Sequence, residues 1–145
     1  ALSESAHAHP VGDTDSEHLF CWLLNDLHQT FDKLPPVQAV AERLVIQCRE
    51  IAAQGVFNML LSDGRALYAF CSTQLHQITR RAPFGKATLA DDDISIDFAE
   101  HTTPNDVVTV LATQPLTVDE VWEKWQPGRL SVLQDGEVVY TSPVA

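Results

Sequence analysis

The strongest constraint on the fold is a pair of apolar segments, residues 56–61 and 66–71, that flank Asp63-Gly64. An Asp-Gly pair between two apolar runs is typical of a β-hairpin with a tight turn. Both segments carry apolar side chains at odd and at even positions, so both faces of each strand need cover. The sequence therefore predicts a hairpin with a layer of structure packed against each side.

Two amphipathic helices are predicted before this hairpin. Thr14 and Glu17 have the spacing of a capping box, in which the hydroxyl accepts from the glutamate N–H and the carboxylate reaches back to the cap. Apolar residues then recur at helical spacing over residues 19–31 and again over 37–52, with Gly55 in the usual C′ place. The short link makes the helices an antiparallel pair. This pair can cover only one side of the hairpin, and the remaining sequence is too polar to supply all of the other layer.

The rest of the chain is predicted to form mostly antiparallel strands. A second capping box at residues 117–120 predicts a short helix that continues through Val121, Trp122 and Trp125. Residues 1–12 show no apolar periodicity and are expected to be irregular. Two helices followed by strands predict an α+β fold. The expected strands are a hairpin of residues 77–81 and 86–89, strands at 94–98 and 107–113, and a hairpin of 130–133 and 138–140 about Asp135-Gly136.

Charge and cysteine content limit the partners and the compartment. Nine Lys and Arg stand against 20 Asp and Glu, a formal charge of -11, which argues against nucleic acid and anionic membranes as partners. No apolar run is long enough to span a membrane, and residues 1–12 lack the pattern of a secretory signal. The three cysteines are scattered and form no CxxC motif, which predicts small buried thiols in a reducing compartment. We expect a cytoplasmic protein.

Few residues suggest metal or cofactor chemistry. His7 and His9 offer two imidazoles, too few for a metal site without further ligands. His76 and His101 have no nearby nucleophile pattern, and Asp91-Asp92-Asp93 predicts a solvated loop because it lacks the spacing of a calcium loop. Arg80-Arg81 could bind an anion, but a strand-end pair with acidic neighbours is the commoner meaning. The glycines are dispersed and form no phosphate loop. We therefore expect no metal and no cofactor.

Asp15 is the candidate binding residue. It falls in the first turn of the first predicted helix, where free N–H groups and the helix dipole favour an ionised carboxylate. Such a carboxylate could hold a ligand ammonium group, or could merely suit the dipole. A wider pattern is needed to decide between these two interpretations.

The segment around Asp15 resembles the Thr-Asp-Ser/Thr-Glu segment of the class II glutamine amidotransferases, and later segments resemble the stand-alone bacterial members. Those enzymes are N-terminal-nucleophile hydrolases with an αββα sandwich. The resemblance runs from Pro10 to the end of the chain. Its co-linear segments are residues 12–17, 55–58, 62–65, 79–85, 102–108 and 112–117.

This resemblance implies cleavage of glutamine, or of a γ-glutamyl amide, by an N-terminal Cys thiolate with its own α-amine as base. It further implies an oxyanion hole from an Asn side chain and a Gly backbone, an Arg that grips the substrate carboxylate, and Asp15 on the α-ammonium of glutamine. The Cys, the Arg and the Asn-Gly pair belong upstream of Pro10 and have no counterpart in this chain. Ala1 has no nucleophilic side chain, and the only Met is Met59.

We therefore expect residues 13–145 to be the C-terminal portion of one glutamine amidotransferase type 2 domain, preceded by an irregular segment over 1–12. The expected partners are glutamine or a γ-glutamyl small molecule and the N-terminal half of the same domain. Alone, the chain is expected to have no amidase activity. Two alternatives stay open: an acidic, non-catalytic interaction module derived from this fold, and a γ-glutamyl peptide hydrolase on the same scaffold.

Overall fold

The computed structural model describes residues 7–91, 95–97, 103 and 105–144. Within them the chain forms two α-helices and nine β-strands, all paired antiparallel. The predicted α+β class is confirmed. The helices are α1 (Asp15–Thr30) and α2 (Val37–Ala52), and the strands are β1 (Met59–Ser62), β2 (Leu67–Phe70), β3 (His76–Arg81), β4 (Lys86–Thr88), β5 (Ser95–Asp97), β6 (Val107–Ala112), β7 (Glu123–Lys124), β8 (Leu130–Gln134) and β9 (Glu137–Thr141).

The predicted hairpin lies in a four-stranded sheet of order β1-β2-β8-β9. Tyr68 and Phe70 point to the side where the two helices pack, in one core with Leu44 of α2 and Leu130 of β8. Alternate residues of the same strand, such as Ala69, point to the opposite side, as the two-residue period of a strand requires. Both faces of the hairpin are therefore covered, as its apolar pattern predicts.

The second layer is a three-stranded sheet of order β6-β3-β7. Trp125, directly after β7, is 1 % exposed and packs with Ala69, Cys71, Leu75 and Leu133 between the two sheets. The chain thus supplies a helical layer and two sheet layers of an αββα arrangement. In the part of the chain that the structure describes, no helix lies on the outer side of the second sheet.

The hairpin predicted from residues 77–81 and 86–89 is wrong. All six residues of β3 pair with β6, and its first two also pair with β7. β4 pairs instead with β5. The Thr88 carbonyl accepts from the Val118 N–H, and Leu89 forms an isolated β-bridge with Thr117. The turn residues between the two segments indicated that neighbouring strands would pair. β3 pairs instead with β6, which is more apolar and therefore gains more from burial. Residues 94 and 98, the ends of the next predicted strand, lie outside the described residues.

The helix predicted to begin at Thr117 does not form. The Thr117 hydroxyl donates to Glu120 Oε1 at 2.9 Å, and Trp122 Nε1 donates to the same hydroxyl at 2.8 Å. Glu120 in turn binds the Arg80 guanidinium through two hydrogen bonds of 2.8 and 2.5 Å. The side chains of this capping-box sequence are therefore engaged in tertiary contacts instead of capping backbone N–H groups.

The end of α2 also differs from the prediction. Ala53, with φ −68°, is the C-cap; its N–H donates to the Arg49 carbonyl, and the Gln54 N–H donates to the Ile51 carbonyl. Gly55 comes two residues later and has no positive φ. The helix therefore ends without the left-handed glycine that the sequence suggested. The Arg49 guanidinium also donates to the Gly128 and Pro143 carbonyls and ties this end of α2 to the sheet.

Candidate functional site

Asp15 is the first residue of α1, as predicted. Thr14 is the N-cap, with an extended backbone and a hydroxyl that accepts from the Glu17 N–H at 3.3 Å. The side chain of Asp15 is exposed, and no described residue forms a hydrogen bond or an ion pair with its carboxylate. Asp15 therefore lies at a helix start with acceptor oxygens available to a ligand.

A cavity of about 570 Å³ opens beside Asp15. It lies where the start of α1 meets the end of the antiparallel α2. Its lining combines apolar side chains with the polar side chains of Asp15, Ser16, His18 and Gln54. The lining residues are Asp15, Ser16, His18 and Leu19 from α1, then Ile51, Gln54, Gly55, Val56 and Phe57.

The segment that brings Phe57 to the cavity is held by a side-chain network. Asn58 Oδ1 accepts from the N–H groups of Ser72 and Thr73 at 3.0 and 3.2 Å, and its Nδ2 donates to the Thr73 hydroxyl at 3.0 Å. The Phe57 N–H donates to the Ser72 hydroxyl at 2.8 Å. These bonds join the residues before β1, including Phe57 of the cavity lining, to the residues after β2.

The predicted capping box is only half formed. Glu17 does not reach back to the Thr14 N–H; its carboxylate accepts from the Val11 N–H at 2.6 Å and from the Gly12 N–H at 3.0 Å. These two backbone donors lower the pKa of Glu17. Because residues 11 and 12 pass over the start of α1, their N–H groups lie nearer to the Glu17 carboxylate than the Thr14 N–H does.

The sequence patterns also gave no indication of the role of Asn25, whose side chain binds the segment before α1. Its side chain is 4 % exposed, accepts from the Ala8 N–H and donates to the Ala8 carbonyl, both at 2.8 Å. An asparagine inside a helical apolar pattern gives no signal for such a long-range contact. The sequence patterns also assigned no role to His18 or Gln54, both of which line the cavity.

Several of the other candidate residues contact structural partners within the protein. The His7 ring lies 4.9 Å from that of His28, and His76 Nδ1 is 3.0 Å from the Thr113 carbonyl oxygen. Arg80 pairs with Glu120 and Arg81 pairs with Glu137, which confirms the interpretation of a strand-end pair with acidic neighbours. His101, Asp92 and Asp93 lie outside the described residues. Elsewhere, no three His, Cys, Asp or Glu side chains are grouped to hold a metal ion.

The three cysteines, Cys21, Cys48 and Cys71, are free and buried. Burial raises the pKa of Cys48 to about 12 and also raises that of Cys71. A thiol must ionise to act as a nucleophile, so these two groups are poor candidates for one. Separately, no helix among the described residues is long and apolar enough to cross a membrane.

Comparison with known proteins adds the family. The model of the glutamine amidotransferases class II family matches residues 2–145. The Escherichia coli K12 protein named "Putative glutamine amidotransferase YafJ" is 55% identical over 137 residues, which are 94% of this chain and 54% of that protein. A Haemophilus influenzae relative, "Putative glutamine amidotransferase", is 40% identical over 130 residues, 90% of this chain and 44% of that protein.

A solved structure agrees with this assignment. The crystal structure of a "predicted glutamine amidotransferase from Pseudomonas aeruginosa PA01" superposes with a TM-score of 0.85 at 46% identity. The match covers 97% of this chain and 55% of that one. The chain thus spans about half the length of the relatives that it matches.

Proposed function

Because the chain belongs to the class II glutamine amidotransferases, we propose that residues 13–145 are the C-terminal portion of a domain that hydrolyses the side-chain amide of glutamine or a related γ-glutamyl amide. The nucleophile is an N-terminal Cys that lies in a part of the domain outside this chain. The burial of all three cysteines described here supports a nucleophile from elsewhere. The domain acts in the cytoplasm and needs no metal or cofactor.

Asp15 binds the α-ammonium group of the substrate. A single observation carries this assignment: the carboxylate is exposed beside the 570 Å³ cavity and has no partner among the described residues. A primary ammonium carries three N–H donors and a positive charge, so an unengaged carboxylate is a fitting acceptor. The substrate's methylene groups then contact apolar residues of the cavity lining, namely Leu19, Ile51 and Phe57.

The reaction that this site serves is acyl transfer. The Cys sulfur attacks the side-chain carbonyl carbon, and its proton passes through the α-amine to the departing nitrogen, which leaves as ammonia or an amine. Water then attacks the resulting γ-glutamyl thioester, glutamate is released, and the sulfur regains its proton. In this scheme Asp15 contributes binding and orientation, because it holds the end of the substrate away from the reacting carbon.

The test uses the full-length protein that contains this chain, with L-glutamine as substrate. Loss of a charged partner in a closed site costs on the order of 2–5 kcal/mol. We therefore expect Asp15→Asn to lower kcat/KM by roughly 30-fold or more, mainly through KM. Asp13→Asn is the matched control, since Asp13 is also exposed but does not line the cavity.

An unchanged kcat/KM in Asp15→Asn, or an equal loss in Asp13→Asn, would refute the role of Asp15. A full-length protein without turnover of glutamine or any γ-glutamyl amide would favour the non-catalytic acidic module instead.

A further inference from the structure

The segment before α1 runs along that helix in the opposite direction. We name residues 7–12 the strap. Its last residues contact Glu17 near the start of α1, Ala8 contacts Asn25 in the middle, and His7 lies against His28 near the end. The strap is therefore attached to α1 at three points along the helix.

Asn25 fixes the middle of the strap. Its amide binds both the N–H and the carbonyl of Ala8, as a neighbouring strand would, and the side chain is 4 % exposed. Only an amide side chain supplies one acceptor and one donor in this way. Ala8 is half-buried, so its N–H and carbonyl would lose these partners where access to water is only partial, which costs free energy.

Glu17 fixes the end of the strap next to Asp15. Its carboxylate binds two consecutive backbone N–H groups, and Gly12 makes room for it: a Cβ on Gly12 would lie 2.6 Å from Glu17 Oε2. Only two residues, Asp13 and Thr14, separate Gly12 from Asp15. The local bonds of the helix start are long, at 3.3 Å for the Glu17 N–H and 3.2 Å for the His18 N–H.

We propose that Glu17 and Asn25 are positioning residues for substrate binding: by holding the strap at two points, they keep the first turn of α1 formed and the Asp15 carboxylate at the cavity. This inference rests on the proposed function, in which Asp15 binds the substrate ammonium.

The experiment compares four variants of the full-length protein: Glu17→Ala, Glu17→Gln, Gly12→Ala and Asn25→Ala. The readouts are hydrogen exchange of the Ala8, Val11 and Gly12 amides and the steady-state kcat and KM for L-glutamine. We expect exchange at least tenfold faster at the released amides, a KM about tenfold higher, and kcat within about twofold. Glu17→Gln keeps an acceptor and should fall between Glu17→Ala and the unmodified protein.

Two controls separate positioning from general destabilisation. Glu42→Gln alters an exposed helical glutamate that accepts from Gln38, away from the strap, and should change neither readout. Gly64→Ala strains the β1–β2 turn, which does not line the cavity, and should lower the Tm without raising KM.

Faster exchange with an unchanged KM would overturn the proposal, as would unchanged exchange in all four variants or an equal rise in KM for Gly64→Ala. Should Asp15→Asn also leave KM unchanged, the proposed role of Asp15 fails, whereas a raised KM in Asp15→Asn alone overturns only the inference about the strap.

Discussion

Gly136, in the turn between β8 and β9, occupies a position that excludes any side chain. Its φ is +78°, and a Cβ would lie 2.2 Å from the Val107 carbonyl oxygen of β6. The Gly136 carbonyl also accepts from the Thr109 hydroxyl at 2.6 Å. The turn of the first sheet thus rests directly on the backbone of the second sheet.

We expect Gly136→Ala to lower the free energy of unfolding by about 3 kcal/mol or more. The positive φ alone costs about 1–2 kcal/mol for an L-residue. The clash with Val107 adds the free-energy cost of displacing either β6 or the turn. Urea unfolding followed by circular dichroism measures the change.

Gly64→Ala is the matched control for this prediction. Gly64 has a similar φ of +83° in the other Asp-Gly turn, but a Cβ there would meet nothing within 4 Å. The loss of unfolding free energy in Gly64→Ala should therefore stay near 1–2 kcal/mol. Equal losses at the two positions would show that the close approach of Gly136 to β6 contributes nothing.

At the scale of elements, the β1–β2 turn is joined to the helix pair through one carboxylate. Asp63 accepts from the Arg65 and Ala66 N–H groups, from the Arg65 guanidinium and from the Tyr68 hydroxyl at 2.9 Å. Arg65 also donates to the Pro35 carbonyl at 2.8 Å, in the link between α1 and α2. Burial raises the pKa of Asp63, but the Arg65, Ala66 and Tyr68 donors outweigh it and lower the pKa to about 2.

This shift predicts a pH-dependent contribution to stability. The pKa of Asp63 is lower in the folded state than its ordinary value of 3.8, so the stabilisation is complete above about pH 4 and is lost as the pH falls through about 2. The side chain is 22 % exposed. With allowance for solvent screening, we expect Asp63→Asn to cost about 1–2 kcal/mol at pH 7.

The difference between Asp63→Asn and the unmodified protein should shrink towards zero near pH 2, as measured by urea unfolding from pH 7 downwards. Asp13→Asn, which removes an exposed carboxyl without a described hydrogen bond, is the control and should show no such trend. A difference that persists undiminished at pH 2 would contradict the role of the ionised Asp63 carboxylate.

The elements that sequence patterns predicted correctly are those with local causes. The two helices follow from apolar periodicity, and the two hairpins follow from Asp63-Gly64 and Asp135-Gly136. The errors arise where a distant partner decides. β3 pairs with β6 across some 30 residues, and Glu120 binds Arg80 instead of capping a helix. Neither partner is encoded in the local pattern.

The same division holds at the candidate site. The helix start at Asp15 follows from Thr14 and its neighbours, and the resemblance indicated its role. The strap contacts of Asn25 and Glu17, and the cavity wall of Gln54 and Phe57, depend on packing between segments far apart in sequence. Such contacts become visible only when the chain is folded.

At the scale of the whole molecule, the three layers explain what this chain can do by itself. The described residues form one helical layer and two sheets, with the cavity at the junction of α1 and α2. This arrangement exposes the Asp15 carboxylate beside that cavity, whereas the three cysteines are buried inside the layers. In the proposed domain, binding and bond cleavage therefore depend on different portions of the polypeptide.

We accordingly expect the 145-residue chain alone to hydrolyse glutamine no faster than the buffer does, as measured by release of ammonia. A thiolate is needed for attack, and burial raises the thiol pKa of Cys48 to about 12. The control is the full-length protein, in which turnover is expected and should fall in Asp15→Asn. Turnover by the 145-residue chain that disappears in Cys21→Ala, Cys48→Ala or Cys71→Ala would contradict this prediction. The nucleophile would then lie within the layers described here, and the assignment of binding and bond cleavage to different portions of the polypeptide would be wrong.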